Sequence, residues 1–344
     1  MGFTTVGILL QQMRDEKKIT RKQLADGICS KQVLAEVEAN RYEADTLTLD
    51  IFMQRLGKSP DKFEMLLKVD TYNMVRLRDL IEETIYRGKR DLAEKLLHKY
   101  PSRTNVDKMY QYRMKASILY HIDKNCKDAA KSLQKAIFIT LPDFSYDQIE
   151  EYMISTVEME NLLALERMYL EEKYQDTPMT DTDMTKEKQH LELCMNYMDQ
   201  HFEDGEEHAK IFSKCAWLLS GIYYLEKNYI KATRLCEKGM EVLRRNTVLY
   251  FMLPLLELET KAQEALGMIP ERSKWVQYYE ILKWIWTNYA KEWYPTNSLF
   301  HNCCQREYHL DYEFIRAERK AQEMTQQKLA EGVYQNTECL SRVE

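Results

Sequence analysis

Glycine and proline are scarce, ten and seven residues in a chain of 344. The many tight turns of an all-β or α/β fold draw on both, so those classes are excluded and an all-α chain is expected. Abundant Leu, Glu and Lys and 18 Met agree with that. No apolar run approaches the ~20 residues a spanning helix needs, and the opening residues lack a basic segment followed by an apolar core. Eight cysteines, at positions 29, 126, 194, 215, 236, 303, 304 and 339, follow no disulfide framework. A cytoplasmic protein is expected. Positive charge is not in excess either: the net charge is −6, and residues 1–67 carry ten basic and ten acidic side chains, where a strong DNA binder usually carries a basic surface.

What is present begins with Thr20 to Glu38, which reads as two short helices joined by a tight turn. Thr20 caps the first, whose Leu24 and Ala25 face inward; Gly27 permits the sharp exit; Ser30 caps the second, which buries Leu34 and Val37. A helix over Thr5 to Lys17, with Ile8, Leu9 and Met13 on one face, precedes them. Helices at Thr46 to Leu56, with Leu47, Leu49, Phe52, Met53 and Leu56 inward, and at Pro60 to Leu67 follow. Together they predict a five-helix domain over residues 1–70.

From Thr71 the pattern changes to paired amphipathic helices that repeat internally. Ser117 lies three before Tyr120, and Ala129, Leu133, Ala136 and Pro142 follow at tetratricopeptide distances. Ser220, Tyr223, Ala232, Cys236 and Gly239 repeat the arrangement about 103 residues further on, close to three periods of about 34. Thr84, Ala93, Leu97 and Pro101 are a weaker copy. Small residues there let two helices approach closely, and stacked hairpins form a solenoid. The spacing predicts a tetratricopeptide-like repeat domain over 71–312, interrupted by a loop from Tyr174 to Lys188. Near its end lie Trp275, Tyr278, Tyr279, Trp284, Trp286, Tyr289, Trp293 and Tyr294. Burial against the last hairpin is expected for them; exposure would instead mark a dimer or ligand contact.

The opening motif recurs near the end. After an amphipathic helix from Arg316 to Met324, Thr325 to Val333 repeats Thr20 to Ile28 in register, and Leu340, Val343 and Glu344 match Leu34, Val37 and Glu38 after a one-residue insertion. Arg319 matches Arg14. Residues 313–344 are therefore read as a partial second helix-turn-helix. It stops mid-motif, so either the sequence continues in a longer protein, the favoured expectation, or the tail packs elsewhere.

Through Arg14, Thr20, Leu24, Ala25, Gly27, Leu34, Val37 and Glu38 the first unit resembles the Xre/Cro class of helix-turn-helix domains, and Gln23 to Gln32 is most similar to the PlcR and Rgg group of bacterial regulators. The resemblance implies a dimeric cytoplasmic transcription factor, active in quorum sensing, whose repeats bind a short signalling peptide. It implies an ion pair between Arg14 and Glu38. It also implies a phosphate contact for Arg21, base-edge contacts for Lys31 and Gln32, and backbone contacts for Asn40 and Arg41. Glu36 stands where the group usually has a basic or amide side chain; a carboxylate accepts from cytosine but repels phosphate. In the second copy Thr337, Glu338 and Arg342 take the exposed positions.

The groove of such a solenoid maps to Gln111, Met114, Ile118 and His121, and again to Lys214, Trp217, Gly221 and Tyr224. That mixed surface suits an extended peptide; burial of the same residues inside the solenoid is the competing reading. No phosphate loop, HExxH, paired CxxC or nucleophile elbow occurs, so no enzyme, metal or cofactor is expected. His301, Cys303, Cys304 and His309 have no common zinc spacing. The expected function is a DNA-binding regulator gated through a dimer by a peptide. The alternative is a protein-interaction scaffold with vestigial helix-turn-helix units.

Overall fold

The structure, a computed structural model, describes residues 5–60, 65–176, 183–203, 205–268, 274–290, 299–300 and 308–331. The chain divides into two compact units, one of Met1–Ser59 with Ile81–Cys303, the other of Pro60–Leu80 with Cys304–Glu344.

The first unit opens with α1 (Val6–Glu16), α2 (Arg21–Ala25), α3 (Lys31–Glu38) and α4 (Thr46–Arg55). Each start is set by a short polar side chain. Thr5, Thr20, Ser30 and Asp45 all accept from a backbone N–H of the first turn, and Thr20 with Gln23 completes a reciprocal capping box. Gly27 takes φ +69° in the turn between α2 and α3, a conformation only glycine adopts at little cost. Leu10, Met13, Leu24, Leu34, Phe52 and Leu56 form the core. The expected inward face of α1 is corrected at Ile8, which is 42% exposed. The buried face is Gly7, Leu10, Met13 and Arg14, because α1 meets the end of α3 at Gly7, where an added Cβ would lie 2.2 Å from the Val37 carbonyl oxygen.

The helical array follows: the last residues of α5 (Val69–Tyr86), then α6 (Arg90–Lys99), α7 (Asn105–His121), α8 (Cys126–Thr140), α9 (Thr156–Asp176), α10 (Thr185–His201), α11 (Glu206–Leu225), α12 (Tyr229–Arg245), α13 (Met252–Ala265) and α14 (Lys274–Ile285). Consecutive helices pack from α6 to α14. The hairpin residues expected to be small are buried: Ser117, Ala129 and Ala136 in α7 and α8, and Ser220, Ala232 and Cys236 in α11 and α12. At Gly239 a Cβ would lie 3.1 Å from the Ala216 Cβ, so the approach there is set by the missing side chain.

Three further expectations are corrected. The segment Tyr174 to Lys188 is helical at both ends, within α9 and α10, where Glu187 is buried and pairs with Lys173 at 2.7 Å; residues 177–182 lie outside the described residues. The aromatic stretch forms α14 and a π-helical turn, Trp286–Ala290; Trp275, Tyr279 and Leu282 are partly buried and pack on the last hairpin as expected, whereas Tyr278, Ile281, Trp284 and Ile285 are exposed. Trp293 and Tyr294 lie outside the described residues.

In the second unit, Met65–Leu67 is not helical. It forms β1, paired in parallel with β2 (Tyr308–Leu310), so that Met65 faces Tyr308 and Leu67 faces Leu310. A three-residue apolar run takes its conformation from its partner strand, a partner no local pattern reveals. After β2 come α15 (Asp311–Ala321) and α16 (Gln326–Ala330). They copy α1 and α2 turn for turn. Thr325 caps α16 as Thr20 caps α2, Glu323 has φ 51° where Lys18 has 56°, and Arg319 donates to the Met324 carbonyl at 2.9 Å as Arg14 does to that of Ile19.

Candidate nucleic-acid interface and peptide groove

The geometry of α3 begins with Glu38. Its carboxylate is buried and receives the Arg14 guanidinium at 2.7 and 3.2 Å, a two-pronged contact that fixes α1 against α3. Arg21 reaches the same carboxylate at 2.6 Å with its side chain 42% exposed. The side chain carried over as a phosphate contact is therefore also a structural partner of Glu38. Beyond α3, Asn40 takes the left-handed conformation, φ 55°, and its side-chain oxygen accepts from the Gly7 N–H at 3.2 Å, satisfying a free donor at the start of α1. Arg41 folds back onto Glu36, with nitrogens 2.6 and 2.9 Å from its two carboxylate oxygens. This contact holds the Glu36 carboxyl below the usual range. The negative charge on the exposed side of α3 is thus met within the chain.

Lys31 and Gln32 begin α3 and are exposed, as is the neighbouring Val33. The equivalent positions of the second copy, Thr337, Glu338 and Arg342, lie outside the described residues.

The helix-turn-helix is seated on the repeat array. Arg55, at the end of α4, pairs with Glu158 of α9 at 2.6 and 3.2 Å, both side chains almost fully buried. The same guanidinium donates to the carbonyls of Leu24, Asp26 and Thr140. Gln54 donates to Glu207 of α11, and Asn105 of α7 to the Gly27 carbonyl at 2.8 Å. Sequence reasoning missed Arg55, whose only local signal is that it is the single cation of α4, at its end.

Of the residues mapped to the groove, Met114 and Ile118 are buried, and Gln111 donates to the Tyr100 carbonyl at 2.9 Å. Trp217 lies against Phe251 and beside the Arg167 guanidinium; Tyr224 packs on Tyr229. His121 and Lys214 are brought together with two residues the sequence did not single out, Tyr86 and Arg113. Glu160 of α9 holds the two cations, receiving Arg113 at 2.5 Å and Lys214 at 3.0 Å. Burial, the largest cause, lowers the Lys214 pKa, with Glu160 opposing it. Burial also lowers His121 to about 4, helped by Arg167, Lys124 and Lys214, so its imidazole is neutral at pH 7 and can accept through Nε2. Among the described residues no cluster of His, Cys, Asp and Glu is arranged to hold a metal. None of the described helices is long and apolar enough to cross a membrane.

The fold therefore joins a helix-turn-helix domain to a tetratricopeptide-like helical array, with the start of a second helix-turn-helix after it. Residues 10–63 match the Helix-turn-helix family. No curated protein matches the sequence. Among solved structures the chain is similar to Bacillus thuringiensis PlcR in complex with the peptide PapR7 and DNA, at 15% identity and TM-score 0.47, over 81% of this chain and 95% of that one. It is similar to the Streptococcus dysgalactiae SHP pheromone receptor Rgg2 at 15% identity and TM-score 0.38, over 83% and 95%. It is also similar to the apo form of the competence regulator ComR from Streptococcus vestibularis at 14% identity and TM-score 0.38, over 93% and 98%.

Proposed function

We propose that this chain is a cytoplasmic DNA-binding transcriptional regulator whose helical-repeat domain binds a short signalling peptide and, through a homodimer, gates DNA binding. The observation that carries the reading is the presentation of Lys31 and Gln32 at the exposed start of a helix held by caps and by the Glu38 ion pairs. A helix so presented places its first side chains at base edges in the major groove. Arg21, Asn40 and Arg41 flank it at backbone positions, and Arg342 of the second copy is a further reader. His121, Lys214 and Trp217 supply the polar and aromatic groups that hold an extended peptide. Tyr278, Ile281, Trp284 and Ile285 recur along one face of α14 and are all exposed, a surface suited to a second copy.

Selection of bound sequences from a random duplex pool at modest salt tests the reading. A recovered motif that Lys31→Ala with Gln32→Ala abolishes is expected; binding without sequence preference would refute it. One observation favours the scaffold alternative: Arg21 and Arg41, two of the candidate phosphate contacts, already hold carboxylates. A stable protein partner retained by the Lys31→Ala, Gln32→Ala chain would support that alternative.

A further inference from the structure

Two residues of the chain itself are enclosed by the side chains around His121 and Lys214. Leu299 and Phe300 are 0% and 3% exposed, and their contacts come from side chains of three helices distant in sequence. The Leu299 N–H donates to His121 Nε2 at 3.0 Å, and its carbonyl accepts from Lys214 Nζ at 2.5 Å. The Phe300 carbonyl accepts from the Tyr86 hydroxyl at 2.6 Å, and the Phe300 ring lies under the Arg113 guanidinium, 4.0 Å from centroid to carbon. Main-chain groups are thus read by side chains rather than by a helix or sheet ladder. The one aromatic ring is read by a cation.

Helix-to-helix packing does not need this arrangement. A fully buried lysine costs desolvation that Glu160 offsets only in part, and Lys214 gives a second of its three donors to a main-chain carbonyl. His121, kept neutral, supplies the acceptor that an amide N–H requires. Side chains that satisfy the N–H and C=O of one residue and the C=O of the next, with both residues buried where the chain bends, are what main-chain recognition of a dipeptide unit requires.

We infer that Tyr86, Arg113, His121 and Lys214 form a subsite for an aliphatic residue followed by an aromatic one in a peptide that bends at that pair, and that Leu299-Phe300 occupies it as an internal competitor. The inference rests on the peptide-groove reading above and adds the chemistry of the ligand. An effector peptide carrying such a pair exchanges with Leu299-Phe300 contact for contact, so its apparent affinity is lowered by the fraction of chains whose subsite is filled from within.

The test is fluorescence polarisation of a labelled Ser-Gly-Leu-Phe-Gly-Ser peptide against the full chain and against the Leu299→Ser, Phe300→Ser chain. The substituted chain is expected to bind about tenfold tighter, and the same peptide with Phe and Leu exchanged to bind neither chain well. Phe300→Leu, which keeps the apolar bulk and loses the ring over Arg113, is expected to give a smaller gain; it serves if thermal unfolding shows the double variant to be unfolded. Equal affinity for native and substituted chains, or tight binding of library peptides lacking the pair, would overturn this inference and leave the groove reading standing. A randomised peptide library with no binder to any of these chains would overturn both.

Discussion

Arg55 and Glu158 form a two-pronged ion pair, almost fully buried, between the last turn of α4 and the first turn of α9. Because Arg55 also holds the carbonyls of Leu24 and Asp26 on one side and of Thr140 on the other, one guanidinium joins the helix-turn-helix to the array. Removing one member of such a pair leaves a buried charge without its counterion, which costs about 3–5 kcal/mol. Arg55→Leu and Glu158→Gln are each expected to lower stability to urea on that scale. In a double-mutant cycle the combined variant should lose less than the sum.

At Gly27 a Cβ would lie 2.0 Å from the Thr140 carbonyl oxygen, and φ is +69°. Both the conformation and the contact oppose any side chain. Gly27→Ala should cost about 2–4 kcal/mol, read as a lowered denaturation midpoint. Gly88, with φ +68° but nothing within 4 Å of its Cβ position, should cost only about 1 kcal/mol when changed to Ala. Equal losses at the two sites would refute the close approach.

Glu259 is buried in α13, and burial with the Glu237 charge raises its carboxyl to about 7, against the hydrogen bond from Gln263. A carboxyl pKa raised by folding means the native state binds the proton more tightly. Its stabilisation is full below the ordinary carboxylate pKa and is lost as pH rises through about 7. Glu259→Gln should therefore be nearly neutral at pH 5 and stabilise the chain at pH 8, on the order of 1 kcal/mol, as followed by thermal unfolding at the two pH values.

Glu36 holds Arg41 on the exposed side of α3. If that side meets DNA, Glu36→Gln removes a carboxylate facing phosphate and releases a guanidinium. Affinity should rise, and the slope of log K against log salt should steepen by about one. An unchanged slope would show that Arg41 does not reach the backbone.

The features legible in the sequence were those whose partners are near in the chain. Thr20, Gln23, Gly27 and Ser30 specify their caps and turn within a few residues, and Ala129, Ala136, Ala232 and Cys236 mark hairpins closed by short connections. Asn40 was legible as the residue after a helix, but not as the partner of Gly7. What was missed has long-range causes. Met65–Leu67 becomes a strand only because Tyr308–Leu310 lies beside it. Arg55 meets Glu158, 103 residues on, within the first unit. Leu299 and Phe300 carry no periodicity and are identified only by the four side chains that receive them. His121 and Lys214 were placed in the groove by repeat spacing, whereas Tyr86 and Arg113 fell outside the pattern.

The agreement between α1–α2 and α15–α16 has a consequence for how such a motif is encoded. Thr325, Arg319 and Glu323 reproduce the cap, the carbonyl clamp and the left-handed link of Thr20, Arg14 and Lys18, although most of the intervening side chains differ. The geometry of the first two helices is thus written in a handful of letters with low contact order, a cassette that can form early in folding. Sequence divergence elsewhere in the motif is then free to change what each copy touches without changing how it turns.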